Sequence, residues 1–392
     1  MQTQNNDFRS VLTRGVEDVI VKEDLERALA SGKKLRIKLG IDPTGPNIHL
    51  GRAIPLRKLR AFQDLGHTAV LIVGDFTALI GDPSDKLAKR PMLTPGDVKT
   101  NMKRYKEQLG SIVDLRRAEL HYNSKWLKKM NLGDMARLAE SFSVQQMVAR
   151  RNFKDRWDRN EEISLREFLY PLMQGYDSVA VHADVEIGGF DQLFNLKAGR
   201  IVQKHYGEPE QNILTTKMLL GLDGRKMTTT WGNTVAINDE PNDMFGKIMS
   251  LDDSLMSDYF LLCTDMEEAE IAAELARSPR DTKMRLAREI VSIYHSKQIG
   301  EKAEAEFKRI FSEKKINEAE LPILRMGSEK SINADDIVLK SGVVLSRNAA
   351  RRIIEQGGFE INGKKIMNPQ DAVSLHAGDV VKIGKKDFFR IG

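Results

Sequence analysis

Cysteine is almost absent from this chain: Cys263 is the only one among 392 residues. A lone cysteine excludes a disulfide framework and any metal site built from several cysteines, and it is typical of a reducing compartment. Long apolar runs are also missing, because the longest, residues 69–73, falls far short of the ~20 residues that a membrane span needs. Residues 1–14 are polar and do not resemble a signal peptide. These absences predict a cytoplasmic protein without a membrane span.

Two common phosphate-binding patterns, GxxxxGK[ST] and GxGxxG, are missing as well. A nucleotide, if one is bound, must therefore be held by other groups. Apolar residues make up 41% of the chain and charged residues 30%, which excludes a disordered or fibrous protein. A chain of this length predicts two or three domains rather than one hydrophobic core.

Positive charge is concentrated at the end of the chain. The net charge is +5, and residues 330–392 alone contain 11 Lys or Arg against 7 Asp or Glu. A small basic module therefore follows a nearly neutral body. Such a module is either a solvated surface or a nucleic-acid-binding element, and its charge alone favours neither.

The apolar pattern near the N-terminus predicts a parallel sheet. Residues 35–41 form an apolar run, an amphipathic helix follows at about 50–65, and residues 68–73 form a second apolar run. A strand, a helix and a strand in this order make a βαβ unit, which places the two strands parallel in one sheet. The predicted fold class is therefore α/β.

The remaining pattern predicts further elements along the chain. Ser164 and Glu167 form a capping-box pattern at the start of a helix, and Asn362-Gly363 is typical of a hairpin turn. A polar stretch at 313–331 is interpreted as a linker. The other predicted elements are helices at 96–109, 243–262, 267–276, 282–311 and 347–355, and a strand at 183–187.

Two separated motifs suit phosphate binding. The first, His49-Leu50-Gly51-Arg52, stands where the first predicted strand leads into the helix, and helix N-termini favour anions. The second, Lys226-Met227-Thr228-Thr229-Thr230, offers one ammonium and three hydroxyls. Each motif alone is equally compatible with a polar loop or a solvated turn. The position of the first at the carboxyl end of a parallel strand favours a ligand site.

A third pattern lies on the helix that begins near Ser164. Tyr170, Gln174 and Asp177 stand at i, i+4 and i+7, so they share one helical face. A phenol, an amide and a carboxylate among apolar residues are unsuited to a hydrophobic core. A hydrogen-bonded structural helix is the alternative to a binding site.

Taken together, these motifs resemble those of the bacterial tyrosyl-tRNA synthetases, a family of class I aminoacyl-tRNA synthetases. The two phosphate motifs resemble HIGH and KMSKS, and the helix around 170–177 resembles the tyrosine-binding helix of that family. The segments 188–192 and 81–86 are also similar to it, and residues 346–363 resemble an S4 RNA-binding module. The resemblance extends from about residue 10 to the end of the chain.

The resemblance implies a Rossmann-like catalytic domain at 1–232 with a helical insertion at about 110–160. An α-helical, anticodon-binding-type domain at 233–327 and an α+β S4 domain at 328–392 would follow. The implied reaction is tyrosine activation with ATP, then transfer of tyrosine to tRNA(Tyr). Mg2+ would accompany ATP without a dedicated protein site, zinc and other bound metals would be absent, and the protein would be a homodimer.

The resemblance also implies roles for individual residues. The catalytic set is Thr44, His49, Arg52, Lys226 and Thr229; the tyrosine-binding set is Lys38, Asp82, Tyr170, Gln174, Asp177 and Gln192; the ATP-binding set is Asp42, Gly51, Lys86, Arg90, Gly189, Asp191 and Met227. In the tail, Arg347, Arg351, Arg352, Lys364 and Lys365 are the predicted RNA-binding residues, and Arg347 and Arg351 share a helical face at i and i+4.

The chain departs from the family pattern at a few of these positions. Arg52 replaces the second histidine of HIGH, Thr229 replaces the second lysine of KMSKS, and Lys38 stands where many members have a tyrosine. Three alternatives stay open: a tryptophanyl-tRNA synthetase, a catalytically silent RNA-binding relative, and a small-molecule nucleotidyltransferase. Asp177 and the S4-like tail argue against the first, and the amino-acid-binding pattern argues against the second. The third would need neither the tail nor the helix at 164–177.

Overall fold

The computed structural model describes residues 8–83, 93–228, 231–311, 321–326, 332–384 and 387–392. The strands are β1 (Val16–Ile20), β2 (Arg36–Ile41), β3 (Thr68–Val73), β4 (Glu119–Tyr122), β5 (Val185–Gly189), β6 (Asn212–Thr216), β7 (Ile323–Leu324), β8 (Ile332–Asn333), β9 (Phe359–Ile361), β10 (Lys364–Lys365), β11 (Ala372–Val373), β12 (Val380–Ile383) and β13 (Asp387–Ile391).

The helices before residue 210 are α1 (Arg9–Thr13), α2 (Lys22–Ala30), α3 (Leu50–Asp64), α4 (Thr77–Ile80), α5 (Pro95–Met102), α6 (Tyr105–Gly110), α7 (Ser124–Leu127), α8 (Leu132–Ala139), α9 (Val144–Val148), α10 (Arg151–Asp158), α11 (Leu165–Ala180) and α12 (Leu193–His205). Those after it are α13 (Pro241–Met249), α14 (Met256–Cys263), α15 (Glu268–Leu275), α16 (Pro279–Tyr294), α17 (Lys297–Phe311), α18 (Ala334–Lys340) and α19 (Arg347–Glu355).

The main sheet has six strands in the order β1-β6-β5-β2-β3-β4. All neighbouring pairs are parallel except β1 and β6, which pair antiparallel at one edge. From β2 the chain proceeds outward through β3 to β4, whereas β5 and β6 extend the sheet the other way. The strand order therefore reverses between β2 and β5, and the predicted α/β class is confirmed.

Residues 1–307 form one compact unit and residues 308–392 a second. In the first unit, Phe245 of α13, Phe260 of α14 and Ile290 of α16 belong to the same hydrophobic cluster as Leu56 and Leu59 of α3. Helices α13, α14 and α16 therefore pack on the sheet's own core. The predicted three-part division at 232/233 and 327/328 stays a prediction.

Three long predicted helices are each divided in two. The predicted helix at 96–109 forms α5 and α6, the one at 243–262 forms α13 and α14, and the one at 282–311 forms α16 and α17. At two of the breaks a polar side chain accepts a hydrogen bond from a nearby backbone N–H: Asp252 from Ser254, and Ser296 from Ile299. Such local hydrogen bonds compete with continuous helix and favour a new start.

One predicted strand is displaced along the chain. We expected residues 183–187, but β5 extends through Gly188 and Gly189, which pair with Thr215 and Thr216 of β6. The two glycines therefore end the strand rather than follow it. Pairing with β6 extends β5 beyond residue 187, and the local sequence does not reveal that pairing.

In the second unit, β9, β10, β12, β13 and β7 form a small sheet, and α18 and α19 contribute Ile337, Ala350 and Ile354 to its core. The predicted helix at 347–355 and the hairpin at Asn362-Gly363 are both confirmed, and both hairpin residues have the positive φ that such a turn requires. Across the described ranges, no helix is both long and apolar enough to span a bilayer.

Candidate active site

A cavity of about 280 Å³ opens at the carboxyl ends of β2 and β5, where the strand order reverses. Ligands of open parallel sheets bind at such a reversal, because the loops diverge there and leave a crevice. Most of the predicted small-molecule site residues line it: Asp42, Thr44, His49, Gly51, Arg52, Asp82, Tyr170, Gln174, Asp177, Gly189, Asp191, Gln192, Lys226 and Met227. The cavity is therefore the candidate active site.

His49 immediately precedes α3, at the helix N-terminus that faces the cavity. Burial, together with the charges of Arg52 and Lys226, lowers the pKa of His49 to about 3, so its imidazole is neutral near pH 7. Within the described part of the chain, its Nδ1 atom has no hydrogen-bond partner. His49 is thus a neutral hydrogen-bonding group beside backbone N–H groups that favour an anion.

Arg52 reaches back to the loop that follows β2. Its guanidinium donates to the Thr44 hydroxyl at 2.6 Å, to the Tyr105 hydroxyl at 3.2 Å and to the Asp42 carbonyl at 3.3 Å. The arginine that replaces a histidine of the family motif therefore fixes the position of Thr44. It also brings a permanent positive charge to this end of the cavity.

Asp42 connects that loop to α11. Its two carboxylate oxygens accept hydrogen bonds from Thr77 at 2.7 Å and from the Tyr170 hydroxyl at 2.9 Å. Burial raises the pKa of Asp42 to about 6, although both hydrogen bonds favour the ionised form. The carboxylate of Asp42 therefore orients Tyr170, and the ATP-binding role of Asp42 stays a prediction.

Asp177 lies at the opposite end of the same helical face, in a buried position. Its carboxylate accepts hydrogen bonds from Trp126 Nε1 at 2.7 Å and from Asn123 Nδ2 at 3.2 Å. Burial raises the pKa of Asp177 to about 7, against the opposing effects of Lys38 and both donors. Sequence reasoning missed Trp126 and Asn123, because nothing near them in the chain indicates a contact more than 50 residues away.

Lys38 is fully buried and does not line the cavity. Its ammonium lies 2.9 Å from a carboxylate oxygen of Glu186, its register neighbour on β5, and donates to the Ser178 hydroxyl at 2.7 Å. Gln174 donates to the same carboxylate at 3.1 Å. Lys38 thus pairs with Glu186, which lines the cavity, without reaching the cavity itself. The predicted contact between Lys38 and tyrosine has no support in this structure. Sequence analysis did not identify Glu186 at all.

Two amide side chains, those of Gln192 and Asn195, lie beside Asp82. Gln192 donates to Oδ2 of Asp82 at 2.8 Å, and Asn195 donates to the Gln192 amide oxygen at 3.0 Å. The predicted residues Asp82 and Gln192 are therefore in direct contact, although 110 positions separate them. Asn195 was not predicted.

The second phosphate motif contacts the short turn that follows β5. Lys226 forms an ion pair with Asp191 at 2.8 Å, which joins a residue of the second phosphate motif to a residue of the predicted ATP-binding set. Asn233 holds the loop, accepting a hydrogen bond from the backbone N–H of Thr228 at 2.9 Å and donating to the carbonyl of Lys226 at 3.1 Å. Sequence analysis overlooked Asn233.

Three predicted site residues, Lys86, Arg90 and Thr229, lie outside the described residues. Among the residues that are described, no group of three or more His, Cys, Asp or Glu side chains is placed to hold a metal ion.

The predicted RNA-binding residues belong to the second unit, and their surroundings differ. Arg347 and Arg351 both pair with the buried carboxylate of Asp335, at 3.2 and 3.0 Å, and Arg347 also pairs with Asp336 at 2.5 Å. Arg352, Lys364 and Lys365 are exposed. The fixed pair Arg347 and Arg351 is therefore oriented by the fold, whereas the other three side chains extend into solvent.

Comparison with known proteins agrees with this arrangement. Residues 30–312 match the family described as tRNA synthetases class I (W and Y), and residues 334–381 match the S4 domain. A tyrosine–tRNA ligase of Thermotoga maritima is 43% identical over 388 residues, which cover 97% of this chain and 96% of that protein. A second, from Dehalococcoides mccartyi, is 44% identical over 395 residues and 99% of both chains.

Solved structures show the same fold. A C-terminally truncated mitochondrial tyrosyl-tRNA synthetase of Coccidioides posadasii aligns with a TM-score of 0.63 at 25% identity, over 76% of this chain and 91% of that one. The tyrosyl-tRNA synthetase of Archaeoglobus fulgidus, solved with L-tyrosine, aligns with a TM-score of 0.61 at 22% identity, over 75% and 98%. The sequence matches cover nearly the whole chain, and they show that it belongs to the tyrosine–tRNA ligase family of class I aminoacyl-tRNA synthetases, with a C-terminal S4 domain.

Proposed function

We propose that this chain activates L-tyrosine with ATP, forming tyrosyl-adenylate and pyrophosphate, and then transfers the tyrosyl group to the 3′ end of tRNA(Tyr). The observation that carries the proposal is the single cavity face formed by Tyr170, Gln174 and Asp177, in a chain whose relatives are tyrosine–tRNA ligases over almost their full length. The phenolic O–H of the substrate would donate a hydrogen bond to the Asp177 carboxylate, and the ammonium group of the substrate would be bound by Tyr170, Gln174 and Asp82.

In the first step, a carboxylate oxygen of tyrosine attacks the α-phosphorus of ATP while the bond from that phosphorus to pyrophosphate breaks. Negative charge accumulates on the leaving pyrophosphate, so catalysis depends on positioning and on donors that meet this charge. We assign Thr44, neutral His49 and Lys226 to the phosphates, Gly189 and Asp191 to the ribose, and Gln192 to the reacting carboxylate and α-phosphate. Arg52 acts by holding Thr44 in place.

In the second step, a ribose hydroxyl of the terminal adenosine of tRNA attacks the tyrosyl carbonyl carbon, and AMP leaves. We propose that ATP enters as its magnesium complex, with the ion carried by phosphate oxygens, which are ligands that Mg2+ prefers. Zinc has no role in this scheme. The tRNA substrate, together with a single cysteine, supports a cytoplasmic location.

Pyrophosphate exchange tests the proposal directly. We expect ATP–pyrophosphate exchange by the full chain that depends on L-tyrosine and is not supported by L-tryptophan or L-phenylalanine. Exchange with tryptophan but not tyrosine would instead identify a tryptophanyl-tRNA synthetase. Absence of exchange with any amino acid, from protein that still binds tRNA, would identify a catalytically silent relative.

We predict that Asp177→Asn lowers kcat/KM for tyrosine about tenfold or more and narrows the preference over phenylalanine. A hydrogen bond to a charged group contributes about 1.5–3 kcal/mol, and phenylalanine, which has no hydroxyl, cannot donate it. Parallel measurements of kcat/KM for both amino acids check this. An unchanged ratio would contradict the assignment of Asp177 to the phenol.

The same residue predicts a pH dependence. Because the pKa of Asp177 is raised to about 7 in the ligand-free chain, tyrosine has to displace a proton below that pH. The affinity should rise with pH up to about 7 and level off above it, and Asp177→Asn should remove this component. A component near pH 6 from Asp42 should remain in the variant. His49, with a pKa of about 3, should contribute nothing between pH 5 and 9.

Lys226→Ala should slow adenylate formation about 100-fold and leave the affinity for tyrosine nearly unchanged. The loss of a fixed donor to charge that develops in the transition state has effects of this size. Single-turnover adenylate formation measures the step, and tyrosine titration measures the affinity. Arg225→Ala is a matched control, since Arg225 stacks on Trp231 at 4.6 Å and pairs with Asp223 rather than facing the cavity. Equal rates for the two variants would contradict the role of Lys226.

Substitutions in the S4 domain should affect tRNA binding without affecting tyrosine activation. Replacing Arg352, Lys364 and Lys365 together with alanine should weaken tRNA binding and reduce the slope of log affinity against log salt by about 2 to 3, since each lost phosphate contact removes about one unit. Tyrosine-dependent pyrophosphate exchange should be unchanged in the same protein, because its assigned residues all precede residue 231. Unaltered charging and an unaltered salt slope would show that these side chains do not contact tRNA.

We propose a homodimer formed through the segment 132–165. Large apolar side chains are exposed there: Leu132 is 87% and Leu165 78% exposed, and Val144 and Trp157 are exposed as well. Apolar exposure of this extent is typical of an interaction surface. Sedimentation at micromolar concentration should give about twice 44.3 kDa, and Leu132→Asp combined with Leu165→Asp should give the monomer mass.

The matched control for the dimer is Leu345→Asp. Leu345 is 98% exposed but belongs to the second unit, so this variant should sediment as the wild type does. A wild-type mass of about 44 kDa would contradict the homodimer.

A further inference from the structure

Arg150 has a buried guanidinium that no part of the proposed mechanism uses. The residue is 6% exposed, and its guanidinium lies 5.1 Å from the ring centre of Phe194 and 5.5 Å from that of Phe153. Phe153 is on α10 and Phe194 is on α12, two residues after Gln192. A planar guanidinium can stack on aromatic faces while its edge stays available for a carboxylate.

The carboxylate at that edge belongs to Asp82. Nη2 of Arg150 lies 3.6 Å from Oδ1 of Asp82, while Gln192 donates to Oδ2 at 2.8 Å and Asn195 approaches Oδ1 at 3.4 Å. Asp82 lines the cavity, whereas Arg150 does not. Arg150 can therefore influence a bound ligand only through the residues it holds.

Two further donors hold the same short segment from the same group of helices. Asn152 Nδ2 donates to the Pro83 carbonyl at 2.5 Å, and Arg166 donates to the Ile80 carbonyl at 2.5 Å. Residues 80–83 are thus bound at three points by side chains from residues 150–166. The backbone that carries Asp82 therefore cannot move without breaking contacts to α10 and α11.

We propose that Arg150 is a positioning residue, which aligns the Asp82 carboxylate for the ammonium group of the amino-acid substrate and so couples the helices at 144–166 to the tyrosine site. The inference rests on the proposed function, in which Asp82 binds that ammonium. Its physical basis is that Asp82 shares the cavity with Asp42 and Tyr170, whose pKa values its charge helps to raise. The guanidinium of Arg150, which lies beside Oδ1 of Asp82, is the cation placed to fix the direction of that carboxylate.

The test compares two ligands that differ only in the ammonium group: L-tyrosine and 3-(4-hydroxyphenyl)propanoate. In the full chain, Arg150→Met should weaken tyrosine binding about tenfold or more, because small misplacements of a binding group have effects of that size. Binding of the propanoate, which has no ammonium, should change by less than about twofold. The neighbouring Arg151→Met is the matched control, since Arg151 is exposed, and it should leave both affinities unchanged.

A conservative variant keeps the test decisive if Arg150→Met does not fold. Arg150→Lys retains the positive charge but not the planar group that stacks on the two rings. This variant should keep most of the wild-type affinity for tyrosine, and its affinity for the propanoate should equal that of the wild type. Equal weakening of both ligands in either variant would overturn the proposal, because it would show that Arg150 only maintains the fold. If the wild-type chain showed no tyrosine-dependent pyrophosphate exchange, the proposed function itself would be rejected. Failure of the Arg150 proposal and failure of the proposed function therefore give different results.

Discussion

Two carboxylates, Asp177 and Glu186, are buried beside one cavity, and the surrounding structure is arranged to satisfy them. A buried charge without partners destabilises a protein by several kcal/mol. Glu186 is met by Lys38 from β2, by Gln174 and Ser178 from α11, and by Gln211 at the start of β6. Packing is so close at this point that a Cβ on Gly199 would lie 3.0 Å from Oε2 of Glu186 and 3.1 Å from the Ser178 hydroxyl. The charge of Glu186 thus fixes how three strands and a helix meet.

Asp177 is also buried and also has hydrogen-bond partners, but those partners carry no charge. Its two donors, Trp126 and Asn123, are neutral, and they do not fully offset its desolvation, so its pKa stays near 7. Glu186, by contrast, has a full cation beside it. Glu186 is therefore a structural carboxylate that is already paired with a cation. Asp177 is a carboxylate that a ligand hydroxyl group can still stabilise. This difference favours the proposed recognition of a phenol at Asp177 rather than at Glu186.

The sequence predicts those features that depend on local chemistry. Apolar runs locate β2 and β3, the capping pattern at Ser164 starts α11, and the helical period places Tyr170, Gln174 and Asp177 on one face. Features that arise from long-range pairing are not predictable in this way. Glu186 lies in a short apolar run and finds Lys38 only through the register of β2 and β5.

The same limit explains the displaced and missed elements. The extension of β5 through Gly189 depends on hydrogen bonds to β6. Trp126 donates from the short helix α7 and Asn233 donates from a loop, and neither belongs to a motif that the sequence analysis singled out. A resemblance to a known family assigns roles to motif positions, but it does not show what each side chain contacts. Lys38 is the example: the motif placed it against the substrate, whereas the fold buries it behind Glu186.

The two ends of the cavity consequently behave differently when ligands bind. At the tyrosine end, Asp82, Asp177 and Tyr170 already have partners that fix their directions. At the nucleotide end, Lys226 pairs with Asp191, two groups assigned to different parts of ATP. Under the proposed function, ribose hydroxyls would hydrogen-bond to Asp191 and phosphate would replace Asp191 as the partner of Lys226, so that nucleotide binding would exchange one ion pair for two interactions. Because the Arg52 guanidinium donates to the Thr44 hydroxyl, Thr44 would stay in place while Lys226 changes partners.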